Sequence, residues 1–178
     1  MMVIADANGG RMPIVLITGG ARSGKSRRAE ARVRAFPGRP VYLATAEALD
    51  EEMAERIAHH RARRGSEWIE REVPLDLVQA LIETDGGGAR LVDCLTLWLS
   101  NLLHSKCDWS QAISELADTL SHQRCPVVMV TNEVGLGIVP DNALARAYRD
   151  AAGIMNQTMA DIADEVEFVV AGLPMKLK

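Results

Sequence analysis

A chain of 178 residues, 48% of them hydrophobic and 25% charged, has enough apolar material for one sizeable core, and a single domain is the expected organisation. A formal net charge of −4 and a pI near 5.6 argue against a general nucleic-acid binder, although clustered basic residues can still hold phosphate. No run approaches the roughly 18 consecutive apolar residues of a membrane span, and Cys94, Cys107 and Cys125 show no Cys-x-x-Cys spacing, so neither a disulfide framework nor a zinc site is suggested and a reducing cytoplasm fits best.

Residues 1–12 carry Asp6 and Arg11 without an apolar core long enough for export, and are expected to form a disordered extension with Met12 as an alternative start. Residues 13–178 are then the folded domain. Ile14 to Thr18 reads as a strand, and Gly19-Gly20-Ala21-Arg22-Ser23-Gly24-Lys25-Ser26 follows it directly, matching Gly-x-x-x-x-Gly-Lys-[Ser/Thr]. Glycines here let backbone N–H groups approach a polyphosphate, and a helix opening at Lys25 aims its positive end at the anion. Lys25 would reach the outer phosphates of ATP or GTP, and Ser26 would ligate Mg²⁺. The helix from Ser26 to Ala35 is stopped by Pro37-Gly38, and Pro40 to Thr45 is the second strand. Asp50 is positioned to cap a helix running to about Arg64, Trp68 to Val73 is a weak strand, and Pro74 suits the first turn of a helix reaching Thr84. Leu91 to Asp93 reads as a short buried strand, Leu95 to Leu103 as helix, and Trp109 to His122 as helix with apolar residues at 109, 113, 116 and 120. Pro126 to Thr131 is an unbroken β-branched strand of the kind buried on both faces. A long helix from Asn142 to Ala163 would put Leu144, Tyr148, Ala151 and Met155 on one side, and strands at Val166 to Ala171 and Pro174 to Leu177 finish the chain. Alternating strands and helices after such a loop predict an α/β, single-domain P-loop NTPase-like fold, a mostly parallel central sheet flanked by helices with ligands at the carboxyl ends of the strands.

A phosphate loop needs a carboxylate on a neighbouring strand for the Mg²⁺ shell, and Asp93 is the best placed. Glu133, just after the strand ending at Thr131, reads equally as a group orienting a substrate hydroxyl or metal water and as a loop cap. In the segment Glu51 to Arg64, His59 and His60 stand among Arg56, Arg61, Arg63 and Arg64. At about 100° per residue, Leu49, Met53 and Ile57 define an apolar face; His60 falls about 60° from Ile57 and His59 about 160° away. His60 is thus the packing residue and His59 the reactive one: a neutral imidazole can attack phosphorus, with arginines offsetting the charge. A solvated basic face is the alternative.

Four segments together carry a resemblance to a known family: Ile17-Thr18 with the glycine loop; Tyr42-Leu43-Ala44-Thr45-Ala46; Arg56-Ile57-Ala58-His59-His60-Arg61; and Thr131-Asn132-Glu133-Val134-Gly135-Leu136-Gly137-Ile138-Val139-Pro140. They resemble the bifunctional adenosylcobinamide kinase / adenosylcobinamide-phosphate guanylyltransferase family, from about Ile14 to Gly172-Leu173-Pro174. The resemblance implies phosphorylation of the hydroxyl on the corrinoid's aminopropanol arm with ATP or GTP. Transfer of GMP from GTP to the new phosphate would follow, through a guanylyl-histidine at His59, giving adenosylcobinamide-GDP for vitamin B12 assembly. It further implies nucleotide contacts at Gly19 to Ser26, at Ala44, Thr45 and Ala46, at His60, Arg61, Ala62 and Arg63, and at Glu72 and Asp93. The family is associated with homotrimers, which exposed apolar residues around Leu95 to Leu103 would permit.

One departure stands in the long C-terminal helix, where the family's Gly-Arg-x-Asn-Gln is Gly153-Ile154-Met155-Asn156-Gln157 here. Two other readings of the residues are a monofunctional small-molecule kinase in which Arg56, Arg61, Arg63 and Arg64 clamp phosphates, and a non-catalytic GTP-binding module.

Overall fold

The computed structural model describes residues 12–48 and 51–178, except the side chains of Glu52, Arg56, His59, His60 and Arg63 inside one helix. Its element order is β1 (Ile14–Gly19), α1 (Lys25–Arg34), β2 (Val41–Ala44), α2 (Glu51–Arg63), β3 (Ile69–Glu72), α3 (Leu77–Glu83), β4 (Arg90–Asp93), α4 (Leu95–His104), α5 (Trp109–Ser121), β5 (Val127–Val130), α6 (Ala143–Ile162), β6 (Glu165–Val170) and β7 (Leu173–Lys176). The strands form one sheet in the order β3-β2-β4-β5-β1-β6-β7, parallel throughout except for β7, which runs antiparallel to β6. A parallel pair cannot be joined by a tight turn, which is why helices intervene until the chain closes with the β6–β7 hairpin. No helix among the described residues is long and apolar enough to cross a membrane.

The alternation of side chains along each strand divides the core in two. Leu16, Leu43, Val92 and Met129 pack on one side with Leu77 and Leu81 of α3, Trp98 and Leu99 of α4, Leu116 of α5 and Met155 and Met159 of α6. Val15, Ile17, Tyr42, Leu91, Val128 and Val130 pack on the other with Ala29 and Val33 of α1. With both faces covered, β1 and β5 read as continuous apolar runs instead of alternating ones.

Three local expectations are corrected. Helix α3 starts at Leu77 instead of near Pro74, because α4 side chains claim the preceding carbonyls. Asn101 Nδ2 donates to Pro74 O at 3.0 Å and Trp98 Nε1 to Leu75 O at 2.8 Å. The apolar residues of α4 are not exposed: Leu95, Trp98, Leu99 and Leu102 are all buried in the chain's own core, so they offer no surface for a neighbouring subunit. On α6 the buried stripe is Ala151, Ala152, Met155 and Met159, while Leu144, in the first turn of the helix, is 72% exposed. The expected Asp50 cap of α2 lies outside the described residues, as do residues 1–11 of the expected extension.

Candidate active site

The loop after β1 has the geometry of an anion cradle. Gly24, the residue before α1, has φ 97° and provides no side-chain cap, so the first-turn N–H groups of α1 are left to an incoming anion. Arg22 lies in the left-handed region at φ 56°, turning the loop back on itself. Lys25 is only 8% exposed, and its ammonium donates to Gly20 O at 2.9 Å, folding it over the loop. The hydroxyls of Thr18 and Ser23, both buried, have no hydrogen-bond partner among the described residues. Neighbouring strands fix the loop. Glu133 N–H donates to Gly19 O at 3.1 Å, and Gly172 N–H, in the β6–β7 turn, donates to Ser23 O at 2.8 Å.

Strand register gathers the carboxylates chosen from the sequence. Ala44 is level with Glu72 on β3 and with Asp93 on β4, and Asp93 is level with Val130 on β5. Directly paired residues of parallel strands share a face, so Ala44, Glu72 and Asp93 stand in one transverse row at the carboxyl ends of their strands, on the α1 side. Ser26, in the first turn of α1, is on that side as well. Hydroxyl and carboxylate oxygens are hard donors that suit Mg²⁺, which usually keeps several waters and arrives with its phosphates, so Ser26 and Asp93 fit that ion by their chemistry.

The remaining candidates divide by what their side chains already hold. Ala44 and Ala46 are partly exposed, whereas Thr45 between them is fully buried. Its hydroxyl donates to Cys94 O and accepts from Cys94 N–H, each at 2.7 Å, so the Thr45 side chain splices β2 to the end of β4. Glu133 Oε1 accepts from Gly135 N–H at 2.5 Å, the loop-capping role of the two considered for it. Arg61 is exposed and donates to Glu70 Oε2 at 2.7 Å and Glu72 Oε1 at 3.2 Å. Arg64, just past α2, is buried; it donates to Glu70 and lies 3.5 Å from the centroid of the Tyr42 ring. Arg64 is therefore engaged in packing and not presented as a phosphate clamp. Burial alone would raise the Glu70 carboxyl, but the bonds from Arg64 and Arg61 outweigh it and hold it below its ordinary value. Ala62 is exposed on the same turn, and the side chains of His59, His60, Arg56 and Arg63 lie outside the described residues.

Sequence patterning missed the polar frame behind the row. Asn132 Nδ2 donates to Thr96 Oγ1 at 2.6 Å, Thr131 Oγ1 to Asn156 Oδ1 at 2.7 Å, and Asn156 Nδ2 to Asn132 O at 3.2 Å. These bonds tie the loop after β5 to α4 and α6. Asparagines beside an apolar strand and within an apolar helix stripe were the available signal, since a buried amide has to find partners. Ile154, at the position of the family's arginine, is half-exposed on α6, so the exchange leaves the core untouched.

Solved structures place the fold. A phi6 bacteriophage P4 protein in complex with ADP aligns with 91% of this chain and 52% of its own, at TM-score 0.51 and 14% identity. An ATPase of a bacterial type III secretion system aligns with 92% of this chain and 56% of its own, at TM-score 0.58 and 11% identity. These likenesses concern the fold alone. In sequence, the chain is 50% identical over 169 residues to the bifunctional adenosylcobalamin biosynthesis protein CobP of Pseudomonas aeruginosa, covering 92% of this chain and 96% of the relative. It is 45% identical over 183 residues to the bifunctional adenosylcobalamin biosynthesis protein CobU of Salmonella typhimurium, covering 93% and 99%. The model of the CobU family, described as cobinamide kinase / cobinamide phosphate guanyltransferase, matches residues 15–177. With the glycine loop, the carboxylate row and near full-length likeness in agreement, the chain belongs to the cobinamide kinase / cobinamide phosphate guanyltransferase family.

Proposed function

We propose that this chain is a transferase acting twice on one corrinoid arm, and that a single nucleotide cradle serves both steps. In the first, the aminopropanol hydroxyl of adenosylcobinamide attacks the γ-phosphorus of ATP or GTP. The bond to the β-phosphate oxygen breaks, the nucleoside diphosphate leaves and the hydroxyl proton is lost. Loop N–H groups from Gly19 to Ser26 hold the phosphates, and Lys25, released from Gly20 O, offsets the charge on the transferring group. Bound Mg²⁺ would neutralise charge between the phosphates, with Ser26 and Asp93 as its protein neighbours. In the second step an imidazole nitrogen of His59 attacks the α-phosphorus of GTP and pyrophosphate leaves. The corrinoid phosphate then attacks the same phosphorus, the P–N bond breaks, and adenosylcobinamide-GDP is released.

The observation that carries this reading is the transverse row of Ala44, Glu72 and Asp93 at the carboxyl ends of β2, β3 and β4, on the α1 side of the sheet and separated from the strand of the glycine loop by β5. It supports assigning nucleotide contacts to that row, together with Ala46 and the α2 segment His60 to Arg63. For Arg61 a phosphate would replace Glu72, which is exposed and weakly held. The assignment of His59 rests on the helical wheel and on the family likeness. The family's homotrimer belongs to the proposal too. It is supported by Leu136, Ile138, Val139 and Leu144, which are 82%, 97%, 62% and 72% exposed beside the site. A cytoplasmic location follows from the corrinoid and nucleotide substrates of such an enzyme.

The test is the separation of the two activities. His59→Ala is expected to keep corrinoid phosphorylation within roughly tenfold of the parent, about 1.4 kcal/mol in barrier, while the GMP adduct and the GDP-linked product vanish. Intact-protein mass spectrometry after incubation with GTP and Mg²⁺ reads the adduct, which should be labile to acid and stable to alkali, as a phosphoramidate is. An acid-stable adduct, or one persisting in folded His59→Ala protein, would overturn the nucleophile assignment. Phosphoryl transfer with no adduct in the parent would favour a monofunctional kinase, and binding alone a GTP-binding module.

A further inference from the structure

Tyr42 opens the segment that leads to Ala44 and has so far been given no role of its own, yet it is 5% exposed and its hydroxyl donates to Asp93 Oδ2 at 3.1 Å. The geometry follows from register. Tyr42 is paired with Leu91 across β2 and β4, and Asp93 is two residues further along β4, on the same face, within diagonal reach of a phenol. The ring is fixed from two directions. Arg64 stacks over it at 3.5 Å, and Trp68 meets it edge-on at 6.1 Å between centroids and 83° between planes.

We propose that Tyr42 is a positioning residue for the carboxylate that faces the nucleotide's metal: holding Oδ2 sets the plane in which Asp93 presents its other oxygen. The inference rests on the assignment of Asp93 to the Mg²⁺ shell. Partners of this kind around metal-facing carboxylates orient them, and losing one weakens metal affinity by about 10- to 100-fold. Because Arg64 directly follows the last residue of α2, the same ring also joins the metal-facing carboxylate to the base of the helix that carries His59.

The test uses the full chain and a fluorescent GTP analogue, titrated at increasing free Mg²⁺ and also without metal. Tyr42→Phe keeps the ring, and with it the contacts to Arg64 and Trp68, so its thermal midpoint should stay close to the parent's. The expected result is a Mg²⁺ midpoint for nucleotide binding raised about tenfold, with metal-free nucleotide affinity unchanged. Asp93→Asn should raise the midpoint further, and in that background Tyr42→Phe should have no added effect. A parental Mg²⁺ midpoint in Tyr42→Phe, alongside a shifted one in Asp93→Asn, overturns the positioning role and leaves Asp93 in place. An unshifted midpoint in Asp93→Asn overturns the metal role of Asp93, and the role of Tyr42 with it. Equal losses of nucleotide affinity with and without metal would make the hydroxyl merely structural and also overturn the proposal.

Discussion

Lys25 and Glu167 are both charged groups with little exposure, and they differ in what their burial serves. Lys25 folds over the loop, where its ammonium donates to a backbone carbonyl that a phosphate oxygen can replace. If one loop serves both nucleotides, as proposed, Lys25→Ala is expected to cripple both reactions by several kcal/mol of transition-state stabilisation. Unchanged guanylyl transfer by that variant would mean that GTP binds elsewhere. Glu167 by contrast is committed: Arg28 on α1 grips it with two bonds of 2.7 Å, joining α1 to β6. Those bonds from Arg28 outweigh burial and hold the Glu167 carboxyl below its ordinary value. A depressed folded value contributes stability that is present above the unfolded value of about 4.3 and is lost as pH falls through the folded one. Glu167→Gln should therefore lower unfolding free energy by about 1.5 kcal/mol at neutral pH, Arg28 being partly solvated. Denaturant titrations should show that deficit shrinking as pH drops below about 4; a deficit independent of pH would mean that the ion pair contributes nothing.

Among the elements, the glycine loop depends on strand neighbours that a motif cannot reveal. A Cβ on Gly19 would lie 2.4 Å from Val169 O and 2.8 Å from Ser23 Oγ, so Gly19→Ala has to push the loop off β6. A cost of about 1–3 kcal/mol is expected, with loss of fluorescent-nucleotide binding. A Cβ on Gly20 meets nothing within 4 Å among the described residues, so Gly20→Ala should leave the unfolding free energy within about 0.5 kcal/mol of the parent. Comparable destabilisation by the two would show that the loop does not abut β6 as described. The same dependence on neighbours explains where the one-dimensional reading slipped. Leu95 to Leu103 is apolar enough to suggest an outward-facing helix surface, and only the packing of α4 between α5, α6 and the sheet shows that the surface is spent internally. Leu144 fits the spacing of the α6 stripe yet projects outside it, because the core ends before the first turn of that helix.

For the whole molecule, the proposed trimer predicts a sedimentation mass near three times the 19.4 kDa chain. Ile138→Asp with Leu136→Asp should shift it toward the monomer with little loss of monomer stability, since both side chains are almost entirely exposed. A parent that sediments at the chain mass would refute the assembly. Much about this protein was settled by the sequence alone: a glycine loop after an apolar strand and the alternation of periodicities specify a parallel α/β sheet with its ligands at one edge. Those are local signals, written in φ/ψ preferences, in side-chain period and in the absence of Cβ atoms where an anion must approach. Asp93 could be picked out by its position at a strand end for the same reason, whereas Glu72 was indicated by the family resemblance alone. That they share a row with Ala44, that Thr45 turns inward to bond Cys94, and that Tyr42 reaches Asp93 were decided only by the tertiary structure. Register between strands distant in sequence depends on how two hydrophobic faces close together, and no window of neighbouring residues contains that information.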